Sequence, residues 1–438
     1  MPASPLTPVQ SWGRIGAPIH NVVTPSSVEQ ARAVIAREGA WLAYGMGRSY
    51  GDVALNSGGT LLSTRALDRF VVFDRESGVL EAEAGVTLEE VIRIALPHGW
   101  FLPTTPGTKY ISLGGAVAND VHGKNHHRAG TFGCWVHSLE IARSDGSLRT
   151  CGPDANEEIF RATIGGLGMT GLITRVRLQL IKVPGAFLDS EDVAFASLDE
   201  FFELTAQSDA EGWEHTVAWM DCVSSRRGRG IFSRANWSPD RRRPLRLGGF
   251  KPSVPVDAPS LLLNRFSVST FNELYFRIKA ARAKRSRLHF NACFYPLDGI
   301  VDWNRLYGRF GFYQYQCVLP RVAQHEALKR LLHEIAESGQ PSFLAVVKAF
   351  GERSSPGLLS FPFPGTHIAL DFPNRGPNTR ALFERLDAIV AVAGGRLYPA
   401  KDARMPADLF RSGYPAWTKL DVLKDPHVQS DFWRRVAG

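Results

Sequence analysis

Tyr44-Gly-Met-Gly-Arg-Ser-Tyr-Gly-Asp52 follows the apolar run Ala40–Ala43. Glycines at 45, 47 and 51 permit positive φ and close backbone approach, so consecutive N–H groups can wrap a pyrophosphate. A dinucleotide loop of the Gly-x-Gly-x-x-Gly type has to open a helix. Asp52-Val-Ala-Leu-Asn56 does not read as a helix start, so the loop is an anion cradle of another kind.

Outward from that loop, the first 183 residues alternate helical and extended patterns. Ser26-x-x-Glu29 reads as a capping box, with Val28, Ala31, Val34 and Ile35 at helical spacing and Gly39 as the stop. Thr87-x-x-Glu90 repeats the device, followed by apolar Leu88, Val91, Ile92, Ala95 and Leu96, and closed by Gly99. Phe70–Phe73 and Val79–Glu83, around the Asp74–Gly78 turn, read as strands. From about Pro184 the texture changes to paired aromatics and basic runs. Gly311–Val318 and Ser342–Phe350 then read as strands of a second domain, and Thr379–Gly394 as a helix.

The chain has 438 residues, 44% hydrophobic and 21% charged, which excludes disorder and fibre and suggests two or three domains. Its 41 Gly and 27 Pro recur with no period, so collagen-like and solenoid architectures are excluded. Five scattered cysteines without a Cys-x-x-Cys pair argue against a disulfide framework or thiolate zinc site. The N-terminus lacks a basic start and apolar core, and no apolar run reaches a membrane span; the expectation is a cytoplasmic chain.

The net charge of +8 is unevenly spread. Between Arg226 and Arg287, sixteen Lys and Arg meet three acids, Asp240, Asp257 and Glu273, so the rest of the chain is net acidic. RRGRG (226–230), RRRP (241–244), Gly248, Gly249, Pro252, Pro255 and Pro259 read as a loop. Leu261, Leu262, Leu263, Phe266, Phe271, Leu274, Tyr275 and Phe276 put apolar anchors beside cations. A local basic stretch implies a phosphate-rich partner, nucleic acid or membrane.

Two more glycine segments give the first loop its context: Thr105-Pro-Gly-Thr…Leu-Gly-Gly-Ala-Val-Ala-Asn-Asp-Val-His-Gly-Lys124 and Ile164-Gly-Gly-Leu-Gly-Met-Thr-Gly171. The ordered set resembles the vanillyl-alcohol-oxidase-type flavoproteins, which hold an extended FAD between two α/β subdomains. Within them it is most similar to the polyprenyl-phosphoryl-ribose 2′-oxidase branch, the flavin half of a 2′-epimerase of cell-wall arabinan synthesis. VAWMDC (217–222), YPLDGIVDWNRLYG (295–308), FYQYQ (312–316), SFLAVVKAFG (342–351), DFP (371–373) and GGRLYPAKDAR (394–404) extend the resemblance over nearly the whole chain.

The resemblance implies an α+β fold, with a two-subdomain FAD-binding domain and an inserted substrate domain built on an antiparallel sheet. Residues 7–184 and 396–438 would form the flavin unit and 185–395 the insertion. It assigns FAD contacts to Gly45, Met46, Gly47, Arg48, Ser49, Tyr50, Gly51 and Asn56, and to Thr105, Gly107, Gly114, Gly115, Ala118, Asn119, His122, Gly123, Asn125 and Gly130. Gly168, Gly171, Ile173 and Lys401 complete the set. Catalytic roles fall to Lys401, Tyr50, Lys124 and His122; substrate contacts fall to Trp219, Gln314, Gln316, Lys348 and His367. A lysine beside the flavin can stabilise negative charge at its N1/C2=O edge, whereas a lone Lys is ordinarily solvated.

His122, His126 and His127 have no acidic or thiolate partner at fixed spacing, so no metal is expected. Covalent relatives that oxidise alditols or aldonolactones carry His where this chain has Arg48; a guanidinium is no nucleophile, so non-covalent FAD is expected. His367-Ile368-Ala369 replaces the branch's Asn-x-Cys, and Phe294 stands where Tyr is frequent, both at the sugar pocket.

The activity implied is oxidation of a secondary sugar hydroxyl, the 2′-OH of a polyprenyl-phosphoryl pentose, to a ketone. An NAD(P)H-dependent ketoreductase partner and oxygen or a quinone as electron acceptor go with it. Residues 226–287 would then give peripheral contact with the inner face of the plasma membrane, unless they form a soluble loop over the pocket. The alternatives are a soluble sugar, alditol or aldonolactone oxidase, and a nucleic-acid-binding protein. The last is disfavoured because no recognition helix, zinc pattern or aromatic RNA-binding motif is present.

Overall fold

Ser27 starts the first helix, α1 (Val28–Ile35), its hydroxyl accepting from the Gln30 amide. The cap therefore lies one residue later than the Ser26-x-x-Glu29 box expected from sequence. That frame turns Val28, Ala31 and Ile35 inward, and Gln30 reaches back to the Ser26 amide. α1 ends at Ile35, before the expected stop at Gly39. Helix α2 (Leu88–Ala95) does form its capping box between Thr87 and Glu90, and the chain leaves it through Gly99 at φ 77°.

The computed structural model describes residues 6–37, 39–223, 228–239, 251–259, 263–281, 285–342 and 344–438. Arg226, Arg227, the RRRP run, Gly248, Gly249, Leu261 and Leu262 lie outside them. The fold is mixed α/β. Ahead of the glycine loop, strand β1 (Trp41–Tyr44) lies parallel to Thr60–Ser63, which also pairs in parallel with Ile19–Val23. A five-stranded antiparallel sheet follows, in the order Phe70–Phe73, Val79–Glu83, Leu172–Gln179, Val136–Ala142, Leu148–Cys151. After Tyr44 the glycine loop runs into one 3-10 turn, Asp52–Ala54.

An eight-stranded antiparallel sheet carries the second half. Its centre is β2 (His215–Met220), β3 (Phe312–Pro320), β4 (Ala345–Phe350) and β5 (Gly365–Pro373), in the spatial order β2-β4-β5-β3. The 226–287 stretch is not simply a loop: its described part includes strand Gly230–Trp237 and helix α3 (Arg265–Ala281).

Side chains alternate across a strand, and here the alternation separates chemistry from packing. Tyr315, Cys317 and Leu319 of β3, Val347 of β4, and Ile368, Leu370 and Phe372 of β5 are buried on one face. They pack against Leu328, Leu331 and Leu332 of α4 (Gln324–Glu337) and Leu382, Phe383 and Leu386 of α5 (Pro377–Val392). Each such side chain contributes roughly 1.5–3 kcal/mol. The other face keeps Gln314, Gln316, Lys348, His367 and Asp371 in register: Lys348 opposite His367, Gln314 opposite Asp371.

The C-terminus closes the molecule onto the glycine loop. In α6 (Asp431–Val436), Arg435 donates to Asp52 at 2.8 and 3.0 Å and to Asp402 at 3.0 Å. Asn56 accepts from Arg434 and donates to the Ala40 carbonyl. Arg435→Met leaves Asp52 and Asp402 without their shared cation, and is expected to cost about 2–4 kcal/mol in urea unfolding; unchanged stability would refute the clamp.

Candidate functional site

The glycine loop and the polar face of the large sheet converge on one cleft. The Tyr50 amide donates to the Ala400 carbonyl at 3.1 Å, which brings the turn that carries Lys401 over the loop. The Lys401 ammonium sits 3.8 Å from the centre of the Tyr50 ring, and that ring packs edge-on against Phe312 at 5.2 Å. A side chain at Gly51 would run into the Asp402 carbonyl; loop and turn touch backbone to backbone.

Beneath Lys401 lies Asp371 of β5, which is fully buried. It accepts from Gln314 at 2.6 Å and from the Tyr307 hydroxyl at 3.4 Å. Burial pushes its pKa up to about 7, with the Gln314 bond and Lys401 pulling it back. Lys401 moves the other way, lowered by burial to about 7 and held up by Asp371. No hydrogen bond joins the two; each charge favours the other's through the low-dielectric interior. Burial and the neighbouring cations Lys124 and Lys401 likewise lower Lys348 to about 7.

A second cluster adjoins it. Gln316 and His122 meet at 3.4 Å, amide nitrogen to Nε2. An amide nitrogen only donates, so Nε2 accepts and Nδ1 carries the proton. Burial, then Lys348 and His367, holds the His122 pKa well below its usual value; the ring is neutral and offers one N–H. The ring centres of Phe350, His367, Tyr398 and Phe361 lie 5.0–5.5 Å from it. His367 is 1% exposed and also neutral, because burial and Lys348 disfavour its cation.

Not every expected residue joins these clusters. Lys124 donates to the Cys293 carbonyl at 2.5 Å. Asn125 is occupied by Thr104 and the Pro103 carbonyl, the Thr105 hydroxyl by that of Tyr295 at 2.6 Å. Asn56 ties the loop to Arg434, and Ile173 lies in the core of the five-stranded sheet. Trp219 is half-buried one strand out, its ring 4.8 Å from Tyr275 of α3. Gly114, Gly115 and Ala118 are in the short helix Leu113–Ala118, with Asn119 as its C-cap. Gly123 and Gly130 flank the turn His126–Ala129, Gly168 and Gly171 the approach to strand Leu172–Gln179, and Gly107 is exposed.

Asp371 and Tyr398 escaped the sequence reading. Asp371 continues the His367, Ala369 alternation of β5, a signal that was available; the Tyr398 hydroxyl donates to the Asn119 carbonyl across 279 residues, and nothing local announces that.

The cleft suits a large polar cofactor. Among the described residues, the Met46, Gly47 and Arg48 amides have no acceptor. Arg48 Nε, Asn119 Oδ1, His122 Nδ1 and both His367 nitrogens are buried without partners, each costing about 1–3 kcal/mol unless a bound group satisfies it. The Arg48 guanidinium lies 4.1 Å over the Trp12 ring. Among the described residues no group of His, Cys, Asp and Glu is arranged to hold a metal.

Comparison with known proteins decides the cofactor. Residues 19–152 match the FAD binding domain family. The chain is 35% identical to decaprenylphosphoryl-β-D-ribose oxidase of Mycolicibacterium smegmatis, over 98% of this chain and 97% of that protein. It belongs to the decaprenylphosphoryl-β-D-ribose oxidase family of vanillyl-alcohol-oxidase-type flavoproteins. An uncharacterised protein from the mprA 5′ region of Streptomyces coelicolor is 32% identical over 80% of this chain and 100% of its own. Cytokinin dehydrogenase 4 of Arabidopsis thaliana is 32% identical over 32% of this chain and 26% of its own. As a member of the decaprenylphosphoryl-ribose oxidase family, the protein is an FAD-dependent oxidoreductase. Gly51→Ala is expected to keep the far-ultraviolet dichroism but purify with less flavin per chain, read as the 450 to 280 nm absorbance ratio; a native ratio would remove the loop from cofactor binding.

Proposed function

We propose that this enzyme oxidises the 2′-hydroxyl of a polyprenyl-phosphoryl pentose to the 2′-ketone, the first half of a 2′-epimerisation. The observation that carries the proposal is the row Gln314, Gln316, Lys348, His367 on one sheet face, directed at the loop that carries Tyr50. Amides provide a sugar with both donors and acceptors, a lysine can pair with phosphate, and the relative matching 98% of the chain is named for decaprenylphosphoryl-β-D-ribose. Residues 7–184 with 396–438 would hold the cofactor, and 185–395 the substrate.

FAD, when bound, would supply the two-electron acceptor that turns the secondary alcohol into a ketone, with the hydroxyl proton released to solvent. The protein's part is placement and charge. Gln316 and His122 Nδ1–H would orient the reacting hydroxyl, Lys348 would pair with the phosphate, and Lys401 would supply a cation for the negative charge of the reduced flavin. Tyr50 carries Lys401 on its ring, and Lys124 braces the adjoining wall through Cys293. Arg48 in place of a nucleophilic side chain leaves the flavin non-covalent. An NAD(P)H-dependent ketoreductase would complete the inversion, with oxygen or a quinone reoxidising the flavin.

Anaerobic mixing tests the substrate: polyprenyl-phosphoryl ribose should bleach the flavin within turnover time, and free alditols should not. The opposite ranking would make this a soluble sugar oxidase. Acid precipitation should release the yellow colour to the supernatant; colour kept in the pellet would contradict the role of Arg48. Lys401 must be charged to act, so flavin reduction should slow as pH rises through about 7. Asp371→Asn removes the anion favouring that charge and should move this falling limb toward acid; an unmoved limb would break the pair.

A further inference from the structure

Helix α3 is turned inside out for a protein surrounded by water. A surface helix normally shows water its polar residues. Here Val268 and Asn272 are buried, and Asn272 donates to the buried Asp221 carboxylate at 2.9 Å. Phe266, Phe271, Leu274 and Ile278 share the opposite arc and are 81%, 41%, 57% and 42% exposed. Arg277 stands among them, its side chain 76% exposed, and Arg285, on the strand after the helix, is 83% exposed. An apolar arc of this kind marks a contact surface.

The same helix is a wall of the site. Tyr275 on its inner side packs against Trp219, and Arg229 ties Asp221 to Glu273 of the helix at 2.9 and 2.7 Å. Fourteen residues ahead of the helix in sequence, Lys251 donates to the Tyr110 hydroxyl at 2.6 Å, and the Tyr110 ring lies 5.9 Å from the Arg48 guanidinium. Through Tyr275 and Trp219, which pairs with Val346 two residues from Lys348, α3 reaches the polar face of the sheet.

We infer that α3 lies in the plane of an anionic lipid surface, its Phe266, Phe271, Leu274, Ile278 arc among the acyl chains, so that the cleft opens where a polyprenyl-phosphoryl substrate resides. Charge complementarity selects this occupant. Residues 226–287 carry sixteen cations against three acids, and basic residues flanking an apolar helical face are the signature of interfacial binding to anionic bilayers. Glu273, the one acid of α3, is held at the edge of the arc by Arg229 and Arg277, and among the described residues no helix is long and apolar enough to cross a membrane. This deepens the substrate proposal and rests on it for the reason the contact exists, but not for its detection.

The test uses the flavin-loaded full chain and vesicles of mixed phosphatidylglycerol and phosphatidylcholine. Wild type should sediment with them, and much less with phosphatidylcholine alone or at high salt. L274E/I278E, exposed positions, should keep the flavin spectrum and melting temperature and lose at least about tenfold in vesicle affinity. Turnover of a water-soluble short-prenyl substrate should stay unchanged while turnover of vesicle-embedded long-chain substrate falls in parallel with binding. Wild type that ignores anionic vesicles, or a double variant that binds them as well as wild type, overturns the inference. So does a variant whose only change is from dimer to monomer, since the arc would then join two copies of the chain. If neither prenyl substrate bleaches the wild-type flavin, the proposed function fails and vesicle sedimentation still decides the role of α3.

Discussion

The governing constraint is the burial of opposite charges along one face of an antiparallel sheet. Asp371 has no exposure, and an unpaired carboxylate there would shed its charge. The Gln314 hydrogen bond, and then the charge of Lys401 arriving from the other side of the cleft, favour its ionised form, and Asp371 favours the charged lysine in turn. Neither group is comfortable alone. Their coexistence requires β5 and the 398–402 turn to be held at a fixed distance, and most of the surrounding structure can be understood as holding them there.

That holding is distributed. Gln314 and Tyr307 fix the carboxylate from within the sheet. The Ala400 carbonyl takes the Tyr50 amide, and Arg435 draws Asp52 and Asp402 together, so the glycine loop cannot move without the turn that carries Lys401. The apolar reverse face of β3, β4 and β5 supplies the rigidity, because its side chains interlock with α4 and α5. Glycine loop, cation and the polar face of the strands thus form a single mechanical unit.

What could be read in the sequence was local. Glycines at 45, 47 and 51 announce a cradle because backbone freedom is a property of single residues, and Thr87-x-x-Glu90 announces a helix because its bonds span three residues. At Ser26 the same logic slipped by one position: Ser27 is the cap, and Gln30 reaches back to the Ser26 amide in place of a box closed by Glu29. The strands Phe312–Pro320 and Ala345–Phe350 were visible in β-branched and aromatic content. Their pairing was not, nor was the meeting of Asn56 with Arg434 across 378 residues. The apolar anchors beside the cations of 261–287 were visible in the sequence; that 265–281 is one helix, and which of its faces is buried, was not. In this fold the buried face is the one bearing Asn272.

In the proposed function, the cleft aims the C2–H bond of a pentosyl phosphate at the flavin while the sheet's polar face holds the sugar. Deuterium at that carbon tests it most directly. In anaerobic single-turnover mixing, polyprenyl-phosphoryl ribose labelled with deuterium at C2 should bleach the flavin several-fold more slowly than the unlabelled compound, with label at C3 having no effect. Equal rates for the C2-labelled and unlabelled sugars, with the slowing found at another carbon, would contradict it.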